Sequence, residues 1–186
     1  RTDPDSPVRA SHIGTRTPVL AHDGADLAAA LATILEIGDD NALQQAVGDA
    51  FDGASVEIQA AAGGLVLLKL AMPGVLRSLD VAELSDGTLR YLALLAALQS
   101  PRPPELLVLN EPETSLHPRV LVPLAPQIVS AAERSQVIVV SHAAPLVDAI
   151  AAAARDATRI ELVKQSGETA IANRKLGDVP SWKWTS

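Results

Sequence analysis

Apolar positions along the chain change period several times, and each change marks an element. Leu27, Leu31, Ile34 and Leu35 recur at helical spacing, with Asp23 or Gly24 as the expected cap and Gly38 as the stop. Asp39 and Asp40 open a second helix through Leu43, Ala46, Val47 and Phe51. The period then drops to two: Val56, Ile58 and Ala60 alternate with Glu57 and Gln59, Gly63-Gly64 makes a turn, and Leu65–Leu70 returns as the second arm of a hairpin. Pro73-Gly74 closes this unit. Ser85 caps a further helix whose Leu84, Thr88, Leu92 and Leu95 share a face, and Pro101, Pro103 and Pro104 end it.

Beyond that helix the pattern is of strands alternating with helices. Leu106–Leu109 and Val137–Val140 are short all-apolar runs of the kind buried on both faces of a sheet. A helix from near Pro118 to about Arg134 lies between them, and another is expected over Ala143–Arg155. Arg159–Lys164 and Thr169–Asn173 make a last hairpin around Ser166-Gly167. This alternation predicts an α/β fold with a mostly parallel sheet flanked by helices, joined to a helical lobe and β-hairpins. Residues 1–83 would form a connector, helical lobe and hairpin, and residues 84–186 an α/β core, together one partial domain.

Composition narrows the class. The 186 residues suffice for one domain with a real core, and 48% are hydrophobic. Aromatics are only 2%, so that core must be aliphatic. The net charge of -7 is a poor footprint for nucleic acid, which needs a basic face. There are no cysteines, which removes disulfides and thiolate metal sites and fits a reducing, cytoplasmic setting. No apolar run approaches the ~18 residues of a membrane span. The first residue is Arg1 in a proline-punctuated stretch, so a fragment of a longer protein is expected.

Three short blocks carry candidate chemistry. Asn110 and Glu111 directly follow the Leu106–Leu109 run, at the strand edge where open α/β sheets bind ligands. A carboxylate there can orient a water or hold magnesium beside a phosphate; the plainer alternative is a buried strand and a capped turn. Ser85, Asp86, Gly87 and Thr88 open a helix, whose free amides suit phosphate, although a serine there is commonly only a cap. Ser141-His142 follows the second strand, where a histidine can meet a phosphate or an attacking water, or simply satisfy a local hydrogen bond.

Taken together and in this order, Leu84-Ser-Asp-Gly-Thr-Leu-Arg-Tyr91, Leu107-Val-Leu-Asn-Glu-Pro-Glu-Thr-Ser-Leu-His-Pro118 and Val139-Val-Ser-His142 resemble the carboxyl-terminal half of ABC-type P-loop ATPases, and within them the SMC/RecF-like branch of bacterial AAA family ATPases. Thr2-Asp-Pro-Asp-Ser-Pro7 and Trp182-Lys-Trp184 add to the likeness less specifically. The resemblance implies that the stretch 84–88 is a signature motif touching the γ-phosphate of ATP held by a second protomer. It implies that Asn110-Glu111 ends Walker B, with Asn110 at the magnesium and Glu111 as general base. Ser115 and His117 would belong to the D-loop, and His142 would be the switch histidine. Glu113 is characteristic of the branch without a defined role. The implied cofactors are ATP and Mg2+, and the implied partners are the chain's own amino-terminal half and a second copy on ATP binding. DNA repair, chromosome handling, transport and defence against foreign DNA are all compatible. DNA contact is not supported by the charge, and no membrane partner is expected.

Two departures stand out. Asn110 replaces the usual aspartate and would ligate magnesium more weakly or through water. Asp86 replaces the usual first glycine of the signature, and its charge should point away from phosphate. A G-x-x-x-x-G-K-[ST] loop does not occur, because Lys69, Lys164, Lys175 and Lys183 are followed by neither serine nor threonine. The expectation is an ATPase as a whole protein, with negligible activity in this chain alone. The alternative is a non-catalytic, nucleotide-gated interaction module. A metallohydrolase using Glu111, Glu113 and His117 lacks the H-E-x-x-H spacing, and a serine hydrolase lacks the G-x-S-x-G elbow.

Overall fold

The computed structural model describes residues 12–13, 17, 19–21, 24–154, 156–165 and 167–172. The chain divides into two compact units, Arg1–Ala154 and Arg155–Ser186. Residues 2–7 and 182–184, which add to the family likeness, lie outside the described residues.

In the first unit, helices α1 (Leu27–Ile37) and α2 (Asp40–Ala50) form the helical lobe. Asp39 caps α2 as its position before the apolar repeat requires, accepting the Ala42 amide at 2.9 Å. The start of α1 differs from expectation. Its N-cap is Asp26, where Asp23 or Gly24 was expected, and the Asp26 carboxylate is turned back onto the amide of Ala21 instead of capping the helix. Strands β2 (Ser55–Ala60) and β3 (Leu65–Ala71) pair antiparallel, Val56 opposite Leu70 and Ala60 opposite Val66. Gly63 and Gly64, at φ 77° and 76°, make the reversal between them, a backbone region that side chains disfavour. β1 (His12–Ile13) and β4 (Leu79–Asp80) both pair with β3, completing a four-stranded antiparallel sheet. Gln44 fastens α2 to this sheet, since its side chain both accepts from and donates to the backbone of Val56 at 2.9 Å.

Helix α3 (Asp86–Leu98) is the central strut. Leu89, Tyr91, Leu92, Leu95 and Leu98 along it are 0–1% exposed. Tyr91 meets Phe51 edge to face at 5.3 Å and donates its hydroxyl to the Ala46 carbonyl, which anchors α3 to α2. Burial, aided by the charge of Asp49, pushes the Tyr91 phenol far above its ordinary pKa. The approach to α3 is pinned as well. Glu83 forms a capping box with Asp80 and a two-pronged ion pair with Arg77, both distances 2.7 Å. The hydrogen bonds from Arg77 and from the Asp80 amide lower the Glu83 carboxyl to about 2. Arg134 closes the far end of α3, donating to the carbonyls of Leu98 and Ser100.

A β-α-β unit follows: β5 (Leu106–Asn110), α4 (Leu121–Ala132) and β6 (Gln136–Val140), with α5 (Ala144–Ala153) packed on α4. β5 and β6 are parallel and in register, Leu109 opposite Val139 and Asn110 opposite Val140. The expectation of two strands buried on both faces is not met. Leu109 lies in the core, and Leu107, Val137 and Val139 pack against it. Leu106, Val108, Ile138 and Val140 on the opposite face are 49%, 54%, 44% and 52% exposed. The helices of this unit cover one side of the two strands only.

The second unit contains the expected hairpin, β7 (Leu162–Gln165) paired antiparallel with β8 (Glu168–Ile171). Among the described residues no helix is long and apolar enough to cross a membrane.

Candidate functional site

The three blocks picked out by their residue types converge at the carboxyl edge of β5 and β6. At the end of β5 the chain leaves the sheet abruptly. Glu111 still donates its amide to the Val140 carbonyl at 2.8 Å, continuing the ladder, but its own φ is 45°. A glutamate in this left-handed conformation is strained and persists only where its surroundings enforce it. They do so here: the Glu111 carbonyl accepts both the Thr114 amide at 3.1 Å and the Arg90 guanidinium at 3.2 Å. Asn110, on the open sheet face, and Glu111 are both exposed.

Across from Glu111, at the end of β6, His142 places Nδ1 3.9 Å from Glu111 Oε1 and 3.1 Å from Glu113 Oε1. Its side chain is 76% exposed, that of Glu111 54%, and that of Glu113 only 7%. Two accessible groups thus flank one buried carboxylate. Glu113 Oε1 accepts from the Ser141 hydroxyl at 2.9 Å, the His142 amide at 2.8 Å and the Ala143 amide at 3.2 Å. Burial alone would raise the Glu113 carboxyl, but these bonds and one to its own amide outweigh it, and the pKa falls below the ordinary value.

The start of α3 touches the same loop. Ser85 is the N-cap of α3, accepting the Thr88 amide at 3.1 Å, and its hydroxyl lies 2.8 Å from that of Thr88. Asp86 is exposed in the first turn, where its charge suits the helix dipole. Gly87 lies so close to the loop after β5 that a Cβ on it would stand 2.7 Å from the Ser115 carbonyl oxygen. Ser115 itself has φ 64° and is exposed. His117 is occupied locally, its Nδ1 accepting the Arg119 amide at 3.2 Å as the cap of the short 3-10 turn Pro118–Val120. Glu111, Glu113 and His117 do not converge: among the described residues no group of three metal-ligating side chains is placed to hold an ion.

Sequence reasoning placed Glu111 and His142 but left Glu113 without a role and did not single out Arg90. A signal for Glu113 was available. A second acid just past a strand end faces, across a parallel register, a Ser-His pair just past the neighbouring strand. Nothing local in the sequence marks Arg90, whose partner lies 21 residues away.

Comparison with known proteins bears on the family and the fold. Residues 26–148 match the family described as "AAA domain, putative AbiEii toxin, Type IV TA system". None of the curated proteins matches the chain. Similar solved structures are SMC heads. One, from work on ATP-driven dimerization and DNA-stimulated activation of SMC ATPases, is 15% identical with a TM-score of 0.54, covering 74% of this chain and 84% of that one. A second is an Smc head with an extended coiled coil, bound to the C-terminal domain of ScpA, from Pyrococcus furiosus. It is 16% identical with a TM-score of 0.55, covering 71% of this chain and 33% of that one. The SMC head from Thermotoga maritima is 16% identical with a TM-score of 0.51, covering 78% of this chain and 51% of that one. The chain thus spans about a third to a half of the longer two. At these identities the likeness is one of fold. With well over half of its residues inside the family match, the chain belongs to this AAA-domain family, and its fold is that of SMC heads.

Proposed function

We propose that this chain is the catalytic-edge half of an ATP-hydrolysing domain. Glu111 polarises the attacking water and His142 senses the γ-phosphate. The observation that carries the reading is the pairing of two accessible groups at adjacent parallel strand ends, Glu111 and His142, 3.9 Å apart. Strained backbone at Glu111 adds to it, since such strain concentrates at functional sites. ATP would be held by the phosphate loop of the amino-terminal half of the same domain. That half would also cover the bare apolar face of Leu106, Val108, Ile138 and Val140. Ser85, Gly87 and Thr88, next to Ser115, would face the nucleotide of a second copy, so that ATP draws two copies together. Magnesium takes hard oxygen donors, and the side-chain oxygen of Asn110 offers one. The neutral amide of Asn110 would hold the ion weakly or through a water.

Calorimetric titration with Mg-ATP tests the division of labour. This chain alone should bind ATP poorly, and the protein carrying a G-x-x-x-x-G-K-[ST] loop should bind it tightly; micromolar binding by this chain alone would overturn the reading. A second reading, a nucleotide-gated module without turnover, is favoured by one residue, Asn110. N110D distinguishes the two: a large rise in hydrolysis supports the weakened metal site, and an unchanged rate removes it.

A further inference from the structure

We propose that Glu113 is the positioning residue of this site, a clamp that ties the turn bearing His142 to the loop bearing Glu111. The inference rests on the ATPase reading above for its functional consequence, but not for the clamp itself.

The Ala143 carbonyl is held by the amides of Leu146 and Val147 at the start of α5, but the amides of His142 and Ala143 have few acceptors. Ala143, the N-cap of α5, carries no side chain able to cap a helix, and only the Ser141 hydroxyl, 3.1 Å from the Ala143 amide, assists locally. Glu113 supplies what is missing from 28–30 residues away, three donors converging on a single oxygen. An anion at this place also faces the positive end of α5. At its own end Glu113 is held rigidly, because its carbonyl accepts the Leu116 amide at 2.9 Å while the Glu111 carbonyl accepts that of Thr114. The carboxylate therefore has little freedom to follow the turn, and the turn must follow it. Glu113 Oε2 is buried without a hydrogen-bond partner among the described residues, so the clamp uses one oxygen and the reach of the side chain. An amide of the same reach can accept the same donors; a shorter carboxylate cannot.

Three variants read this out in two assays. Hydrogen exchange of the 139–145 peptide, measured on this chain, reports the clamp. Steady-state ATPase of the protein with its phosphate-loop half reports its consequence. E113A and E113D should each speed exchange at His142 and Ala143 by about tenfold or more. They should lower kcat by roughly 100-fold with KM for ATP nearly unchanged, as expected when a catalytic pair is misplaced but nucleotide contacts are kept. E113Q should retain protection and most of kcat. If E113A fails to fold, E113D and E113Q still decide. Wild-type exchange rates and kcat in E113D would overturn the clamp. Loss of kcat in E113Q with protection retained would also overturn it, and would make Glu113 an acid or base. A wild-type protein that hydrolyses no ATP would sink the proposed function instead, while the exchange comparison would still decide the clamp.

Discussion

Replacing Gly87 by alanine tests the convergence of α3 with the loop after β5. The ideal Cβ would lie 2.7 Å from the Ser115 carbonyl oxygen, about 0.6 Å inside the ~3.3 Å at which carbon and oxygen ordinarily meet. The obstacle is backbone, in a residue already held at φ 64°, so neither side gives way cheaply. Overpacking of this kind costs about 1–3 kcal/mol. Alanine regains up to ~1 kcal/mol of helix preference over glycine. The net is a loss of about 1–2 kcal/mol, which for a chain of this size lowers Tm by roughly 2–8 °C. Gly48, inside α2, is the matched control: its Cβ would meet Ala54 O at 3.6 Å and Gly53 Cα at 3.8 Å, ordinary contacts. G48A should therefore stabilise by ~0.5–1 kcal/mol. Urea unfolding of both variants, with m unchanged, measures the contrast. A G87A protein as stable as wild type, beside a stabilised G48A, would refute the close approach.

Other perturbations follow from the same geometry. Leu92 is fully buried in α3, and L92A should cost about 2–5 kcal/mol in thermal or urea unfolding; a loss near zero would contradict its place in the core. R134A should cost about 1 kcal/mol by freeing the carbonyls at the end of α3, and R134K should restore little of it, because one ammonium does not reproduce the fork; full recovery in R134K would contradict the bidentate reading. Glu113 has a folded pKa below its unfolded one, so its contribution is complete above the unfolded value of about 4.3 and is lost as pH falls through the lowered folded value. Unfolding midpoints of wild type and E113Q should therefore converge in acid, and a gap that is constant with pH would show that Glu113 is not the group titrating.

Much of the local structure was legible because it depends on neighbours in sequence. Ser85 and Asp39 cap their helices, Gly63-Gly64 turns the hairpin, and β5 and β6 run parallel on either side of a helix, all as their spacing requires. Two features could not be read. An apolar run such as Leu106–Leu109 has the same pattern whether one or both faces are covered, and what covers a face is a tertiary fact. Asp23 and Gly24 look like the cap of α1 from their place before the apolar repeat, but the helix begins at Leu27 with Asp26 in the cap position, its carboxylate engaged by the Ala21 amide. At the site, residue types alone drew attention to Glu111 and His142, and the parallel register brought them together. Glu113 was harder to read because two of its three donors are backbone amides, and its side-chain partner Ser141 is brought to it only by the parallel register. His117 shows the reverse: a histidine in a suggestive block whose contact is with its own turn.

The most direct test is steady-state ATPase of the protein with its phosphate-loop half, wild type beside E111Q, with ATP-dependent dimers followed by light scattering. Turnover in wild type, its loss by about 100-fold or more in E111Q, and dimers that persist with ATP in the mutant are the predicted result. Equal turnover in both proteins would remove Glu111 from the mechanism and contradict the account.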